Sequence, residues 1–185
     1  MDYLSILLIV NYMKKRVIIG TIVIMILSVL YHNIYKWIPN TIIGLLFPVN
    51  ESIWEHGKMI IMSFISWLLI EKYLFRDETN IIVSNFLSCV ICITLDFLIF
   101  TPIYLYVLNT NDNMVVTLGV YLFSIIVSLA VRELFIRDEK DIRKEMLSIV
   151  GFLVFIIFFA VLTYYPLELP IFYDYNKKIY GIPLK

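Results

Sequence analysis

The sequence is poor in the two residue types that most often build redox and metal centres. It has two cysteines and two histidines among 185 residues. The cysteines, Cys89 and Cys92, form a single pair with no second pair to relay electrons, deep in an apolar segment. They are therefore interpreted as buried helix residues rather than a redox site. Two histidines cannot complete a metal site alone, so any such site would also need carboxylates.

The sequence also lacks an excess of either charge. Lys+Arg and Asp+Glu each number 15, and nothing in their distribution indicates a nucleic-acid partner. Long polar connections are missing as well, because the stretches between apolar segments are short. A separate soluble domain is therefore not expected, and the whole chain, 1–185, is predicted to form one transmembrane domain.

Apolar residues dominate what remains, at 61% of the chain and a mean hydropathy of +0.89. Five segments approach or exceed the roughly 20 residues that cross a hydrocarbon core of about 30 Å. They lie at 17–36, 54–75, 81–106, 114–135 and 146–165, and a tail follows at 166–185. The prediction is an all-α, polytopic bundle of five transmembrane helices in a lipid bilayer.

Basic residues in the short connections predict the orientation, because they favour the cytoplasmic side. Ten fall on one side, namely Lys14, Lys15, Arg16, Lys72, Arg76, Arg132, Arg137, Lys140, Arg143 and Lys144. Five fall on the other side, namely Lys36, Lys58, Lys177, Lys178 and Lys185. The N-terminus is therefore predicted to be cytoplasmic and the C-terminal tail to be exterior.

Residues 48–58, Pro-Val-Asn-Glu-Ser-Ile-Trp-Glu-His-Gly-Lys, concentrate ionisable groups at the exterior mouth of the second segment. Such groups are costly wherever they touch lipid. At 100° per residue, Glu51, Glu55, His56 and Lys58 fall on one arc of a helix, which is expected to face the bundle. The opposite arc, from Ile53 and Trp54 to Leu68, is expected to face lipid. Asn50 is predicted to cap this helix.

Two further ionisable residues lie in apolar segments at a similar predicted depth. His32 is roughly 6–8 Å below the exterior end of the first segment, and Asp96 is about 12–15 Å below that of the third. An unpaired carboxylate at that depth costs about 2.5–3.5 kcal/mol. Asp96 is therefore predicted to face the bundle, within reach of Lys58, His56 or His32. Pro102, above it, is expected to kink the segment and open space.

These residues allow three kinds of site. His32, Glu51, Glu55 and His56 could bind a metal ion with an open position for water. A metal-free site could instead use Glu51 or Glu55 as a base with Lys58 as an electrostatic stabiliser. The third possibility is a structural ion-pair cluster. Glu55 and His56 are adjacent, and the side chains of adjacent helical residues diverge. This favours Glu51, Glu55 and Lys58 as one metal-free group, with His56 joined to the third segment or the tail.

The tail stops being helical at Pro166, because proline cannot continue the hydrogen-bonding pattern. Its aromatic residues predict that it folds back over the exterior face. Glu168 and Asp174 could add carboxylates to the site, but they are expected to be solvated.

Three parts of the sequence resemble those of a known family. They are the segment Pro48–Lys58, the Leu30-Tyr31-His32 sequence and a tail pattern of Tyr165-Pro166 followed by Leu169-Pro170-Ile171-Phe172. Together they resemble an uncharacterised family of small bacterial integral membrane proteins with a PVNESxWEHxK segment and a YPxxLPxF tail. The resemblance implies a bacterial plasma-membrane location. It implies no activity.

Two function classes remain open from the sequence. In the first, Glu51, Glu55, His56, Lys58, Asp96 and His32 form an outward-facing binding or catalytic site, acting on a lipid-linked or membrane-entering substrate. In the second, the protein is a non-catalytic membrane subunit or small transporter element. Its charges would then pair internally, with another membrane protein or with a second copy of the chain.

Overall fold

The computed structural model of the protein describes residues 3–75, 80–110, 113–136 and 141–182. Four basic residues that enter the orientation prediction lie outside the described residues, namely Arg76, Arg137, Lys140 and Lys185.

The described chain is almost entirely helical. Its helices are α1 (Tyr3–Trp37), α2 (Thr41–Leu46), α3 (Ile53–Phe75), α4 (Ile81–Pro102), α5 (Met114–Phe135) and α6 (Ile142–Tyr164). Each of the five predicted segments coincides with one long helix. The short helix α2 was not predicted, since six residues are too few to show a helical period. α1 also begins further upstream than predicted, at Tyr3, and its backbone passes Arg16 without a break.

Helix boundaries follow local side-chain chemistry. The side chains of Asn40, Asn113 and Asp141 each accept a hydrogen bond from a backbone N–H in the first turn of the helix they precede. At the other end of α4, Pro102 is the last α-helical residue, and a π-helical turn, Ile103–Val107, follows it. Proline lacks the N–H that would continue the α-helical pattern. The wider turn brings the side chain of Tyr104 into the interior.

Helix α3 lies at the centre of the bundle, with α1, α4 and α6 packed around it. Its apolar arc was predicted to face lipid, and that prediction is wrong. Ile53, Trp54, Ile60 and Phe64 are all buried, in contact with the surrounding helices. Lipid tails and neighbouring helices are equally apolar, so the pattern alone cannot tell one from the other.

Close packing on α3 requires glycine at one position. The ring of Trp54 stacks on that of Phe159 of α6, with centroids 4.2 Å apart. A Cβ atom on Gly57 would lie 2.1 Å from the Phe159 ring. The missing side chain at Gly57 therefore lets α6 approach α3.

Four helical stretches among the described residues are long and apolar enough to cross a membrane, namely Met13–Trp37, Ile81–Val107, Met114–Leu134 and Ile142–Tyr164. This composition is typical of an all-α, multi-pass membrane protein. Within that part of the chain α3 is not among them, so the fifth span stays a prediction.

The segment after α6 folds back onto the helix ends. A 3₁₀ turn, Pro170–Phe172, leads into a short antiparallel hairpin of β1 (Tyr173–Asp174) and β2 (Ile179–Tyr180). The buried ring of Phe172 lies 4.6 Å from that of Trp54, centroid to centroid. The hairpin is thereby anchored beside the start of α3.

Candidate functional site

A cavity of about 320 Å³ lies between α1, α3, α4 and α5. Its walls are mostly apolar, with methionine and aromatic side chains from all four helices. Four of the six candidate site residues predicted from the sequence line it, namely His32, Glu51, His56 and Asp96. Apolar walls with a few convergent polar groups are typical of a small-molecule binding site.

Glu51 lies at the mouth of this cavity between the imidazole of His32 and the ammonium group of Lys36. Its Oε2 atom is 3.0 Å from His32 Nε2, and its Oε1 atom is 2.9 Å from Lys36 Nζ. The hydrogen bond from His32, joined by that from Lys36, holds the pKa of the Glu51 carboxyl well below its usual value. Partial burial opposes this shift but is outweighed. Glu51 is therefore ionised across the physiological pH range.

The imidazole of His56 completes a cluster at the same mouth. Its ring centroid is 5.7 Å from that of His32. The nearest ligand atoms of His32, Glu51 and His56 all lie within 4.8 Å of one another. We call these three residues the mouth triad. All three are half-buried, so the cluster is reachable from the cavity without being fully solvated.

Asp96 of α4 lies on the cavity wall and is only 5% exposed. Within the described part of the chain its carboxyl group has no hydrogen bond to another side chain or to the backbone, and no ion pair. The predicted direct pair with Lys58, His56 or His32 is not formed, although two of those residues line the same cavity. A buried carboxyl group without a partner is costly in an apolar environment.

Hydroxyl groups line another part of the wall. Ser28 of α1 is 2.6 Å from the hydroxyl of Tyr121 of α5 and 2.8 Å from that of Ser63 of α3, measured between oxygen atoms. Ser28 and Tyr121 both line the cavity. These hydrogen bonds join α1, α3 and α5 beside the cavity. Neither Ser28 nor Tyr121 is among the six candidate site residues predicted from the sequence.

Glu55 and Lys58 belong to a separate, buried network. Lys58 Nζ is 2.6 Å from Glu55 Oε2, and both side chains are 2% exposed. Glu55 also accepts hydrogen bonds from the Thr163 hydroxyl and the Val49 backbone N–H, at 2.5 and 3.0 Å. Lys58 donates to the Gly44 carbonyl at 2.8 Å. The pair therefore ties α3 to α2, α6 and the connection before α3.

The predicted grouping of Glu51, Glu55 and Lys58 is thus wrong, because the structure divides it in two. Helix α3 begins at Ile53, so Glu51 precedes the helix and its side chain is free to turn towards α1. The prediction that the adjacent side chains of Glu55 and His56 diverge is confirmed, since the two residues join different networks. Lys58 was correctly grouped with Glu55, and only Glu51 was wrongly added to them. The His56 ring lies 6.4 Å from that of Phe100 in the third predicted segment and 5.7 Å from that of His32 in α1, centroid to centroid.

The backbone before α3 is held by the tail rather than by a helix cap. The Asn50 side chain accepts from the Ser52 N–H at 2.8 Å and donates to the Gly181 carbonyl at 2.6 Å. It is therefore not the cap of α3 that was predicted. Asp174 accepts from the Glu51 N–H at 2.9 Å.

Asp174 is fully buried, which corrects the expectation that it is solvated. The same carboxylate accepts from the backbone N–H groups of Asn176 and Lys177 within its own turn. An aspartate side chain that accepts from the backbone N–H groups two and three residues later in the chain forms a known type of turn. That pattern was the signal in the sequence that could have identified Asp174.

At the opposite end of the bundle lies a second buried charge network. Arg132 of α5 donates to both carboxylate oxygens of Glu71 of α3, at 2.6 Å each, and Arg16 of α1 lies 3.0 Å from Glu71. These residues are at most 3% exposed. This network joins three helices.

Cys89 and Cys92 are free thiols and fully buried. They lie within the hydrophobic core. This position agrees with their interpretation as buried helix residues.

Comparison with known proteins gives a family but no activity. No curated protein and no solved structure matches the chain. A family of unknown function, DUF6512, matches residues 6–182, which is nearly the whole chain. The protein therefore belongs to the DUF6512 family of unknown function.

Proposed function

We propose that this protein is a bacterial plasma-membrane protein of five spans, with a cytoplasmic N-terminus and an exterior C-terminal tail. The four long apolar helices and the bias of basic residues support this arrangement. Helix α3 would be the fifth span. Its 23 residues reach about 34 Å, more than the ~30 Å of a hydrocarbon core. Its buried charges are paired within the chain, which removes the main obstacle to crossing.

The proposed function is binding of a small substrate that enters from the exterior leaflet or is attached to a lipid. The substrate's apolar part would contact the methionine and aromatic walls of the cavity. Its polar part would contact Asp96 and the mouth triad. A catalytic step on that substrate is compatible with these groups, but binding is the function that the geometry supports best.

The observation that carries this proposal is the environment of Asp96. A structural carboxylate in a membrane protein is normally paired, as Glu55 and Glu71 are in this chain. Asp96 instead faces a cavity with no side-chain partner among the described residues. A ligand group that donates to this carboxyl would supply the missing interaction.

Access from outside is tested by cysteine labelling in intact cells. In a background of Cys89→Ala and Cys92→Ala, Thr117→Cys on the cavity wall should react with a membrane-impermeant thiol reagent. Ser124→Cys is the matched control. Ser124 lies about two turns further along α5 and is fully buried, so the introduced thiol should not react. A Thr117→Cys variant that is labelled only after the membrane is opened would contradict the exterior opening.

Ligand binding is tested by native mass spectrometry of protein extracted with its membrane lipids. The wild-type chain should retain an additional bound mass, and Asp96→Asn should lose it while keeping its thermal stability. Asp141→Asn, which removes a carboxylate from the helix cap of α6 away from the cavity, should retain it. If Asp96→Asn instead lowers stability and leaves the bound mass unchanged, Asp96 has a structural role.

The alternative function is a non-catalytic membrane subunit, and one observation favours it. Glu55 and Lys58, two of the six candidate residues, pair internally and lie outside the cavity lining. They therefore serve as structural charges in this chain. Constant co-purification of a second membrane protein, with no ligand in the cavity, would favour the alternative.

A further inference from the structure

We propose that the mouth triad is a binding site for a divalent transition-metal ion of the zinc class, with an open coordination position directed into the cavity. This inference rests on the proposed function, because the triad forms the mouth of the same cavity. It goes further by naming a cofactor and its three ligands.

The donor set suits such an ion. Two imidazoles and one carboxylate are the ligands that Zn²⁺ uses at sites where a fourth position stays open for water or substrate. His32, Glu51 and His56 supply these donors, and they include both histidines of the chain. Calcium and magnesium prefer oxygen ligands and would not select two imidazoles.

The spacing of the donors is close to what a single ion requires. Ligand atoms on a tetrahedral zinc lie about 3.4 Å apart, given bond lengths of about 2.0–2.1 Å. His32 Nε2 and Glu51 Oε2 are 3.0 Å apart, and all three ligand atoms lie within 4.8 Å of one another. Movements of about 1.5 Å or less would therefore bring all three onto one ion.

The surroundings hold the carboxylate in a position suited to this role. The Glu51 backbone is fixed by Asp174 of the tail hairpin. Lys36 contacts Oε1 of Glu51 and leaves Oε2 directed at the His32 imidazole. Partners that orient a ligand in this way typically affect metal affinity by 10–100-fold.

The remaining coordination position would face the cavity. All three ligands line that cavity, and Asp96 of α4 lines it as a further carboxylate. A metal ion there would act as a Lewis acid on a substrate oxygen or lower the pKa of a bound water. The metal site and the ligand site would thus be parts of one centre.

Metal titration of the purified full-length chain tests the inference. The protein carries an affinity tag without histidine, is treated with a chelator and is then titrated with Zn²⁺ alone. We expect one Zn²⁺ per chain. Co²⁺ in its place should give the visible absorption of a low-coordinate site with nitrogen ligands. X-ray absorption of the zinc-loaded wild type should show two imidazoles, a readout that does not depend on the folding of any variant.

Variants identify the ligands. His32→Gln, His56→Gln and Glu51→Gln should each weaken Zn²⁺ binding by at least about 100-fold, more than the usual effect of an orienting partner. Glu168→Gln, at an exposed tail carboxylate, is the matched control and should bind as the wild type does. Lys36→Gln removes an orienting partner but no ligand, so it should weaken Zn²⁺ binding by about 10–100-fold, less than the loss of a ligand.

The outcomes separate this inference from the proposed function. Absence of stoichiometric Zn²⁺ in the wild type, or Zn²⁺ binding that survives replacement of both histidines, overturns the metal site. If Thr117→Cys is still labelled from outside in that case, the cavity proposal stands. If that labelling also fails, both proposals fail.

Discussion

Breaking the buried Glu55–Lys58 pair provides the sharpest energetic test of the structure. In Lys58→Met, the carboxylate of Glu55 keeps two hydrogen bonds, from Thr163 and Val49, but loses the ammonium group of Lys58. Removing one partner of a pair this deeply buried costs about 3–5 kcal/mol, because a charge is left uncompensated. At about 2–4 °C per kcal/mol, the melting temperature in detergent should fall by roughly 6–20 °C.

The same chain supplies a matched control in the Lys36–Glu51 pair. Its N–O distance of 2.9 Å resembles the 2.6 Å of the buried pair, but its side chains are 49% and 26% exposed. A pair this exposed contributes about 0–1 kcal/mol, so Lys36→Met should lower the melting temperature by less than about 4 °C. Similar shifts in Lys58→Met and Lys36→Met would refute the argument that burial makes the difference.

A double-mutant cycle isolates the interaction itself. Glu55→Gln combined with Lys58→Met removes both charges and should be less destabilising than the sum of the single variants by about 2 kcal/mol or more. Thermal unfolding followed by intrinsic tryptophan fluorescence is suitable, because Trp54 lies next to the pair in α3. Additive effects would contradict the pairing.

Three further predictions follow from other contacts. The lowered pKa of Glu51 means that its contribution to stability is complete above the usual glutamate pKa of about 4.3 and is lost as pH falls. The difference in melting temperature between wild type and Glu51→Gln should therefore shrink from pH 6 towards about pH 3. Gly57→Ala should lower stability by about 1–3 kcal/mol in the same unfolding assay, because the new methyl group would overlap the Phe159 ring. An unchanged melting temperature would mean that α6 can shift freely. Arg132→Leu should be destabilising by about 1.5–3 kcal/mol in the same assay, since Glu71 keeps Arg16 but loses a two-oxygen contact in a buried site. Full stability in Arg132→Lys would show that charge alone suffices, without the two-oxygen geometry.

The long helices could be predicted from the sequence because their signal is local. A run of some 20 apolar residues ended by polar residues specifies a helix by length and composition, and α3 to α6 begin and end within four residues of the predicted bounds. Helix α2 has no such signal in its six residues. The turn after α6 was also predictable, because Pro166 cannot continue a helix.

The candidate site could be predicted in part, because depth along a helix is simple arithmetic. A rise of 1.5 Å per residue places His32 and Asp96 at a depth near the start of α3, and in the structure both line one cavity with His56. The same arithmetic contains no information on which side chain pairs with which. Glu51 was therefore assigned to Lys58, although its partners are His32 and Lys36.

The sequence by itself determined that this chain forms long apolar helices, that residues 48–58 concentrate ionisable groups beside one of them, and that Asp96 is a carboxylate within another. Each of these properties depends on residue type and spacing along the chain. Only the tertiary structure decided that α3 is central, that Glu55 faces Lys58 and Thr163, and that Asp174 of the tail holds Glu51 in place. These contacts join residues up to 123 positions apart, and they depend on the rotation of each helix about its axis. Side-chain packing between helices sets that rotation. The sequence pattern does not predict it, because a surface that faces lipid and one that faces another helix are equally apolar.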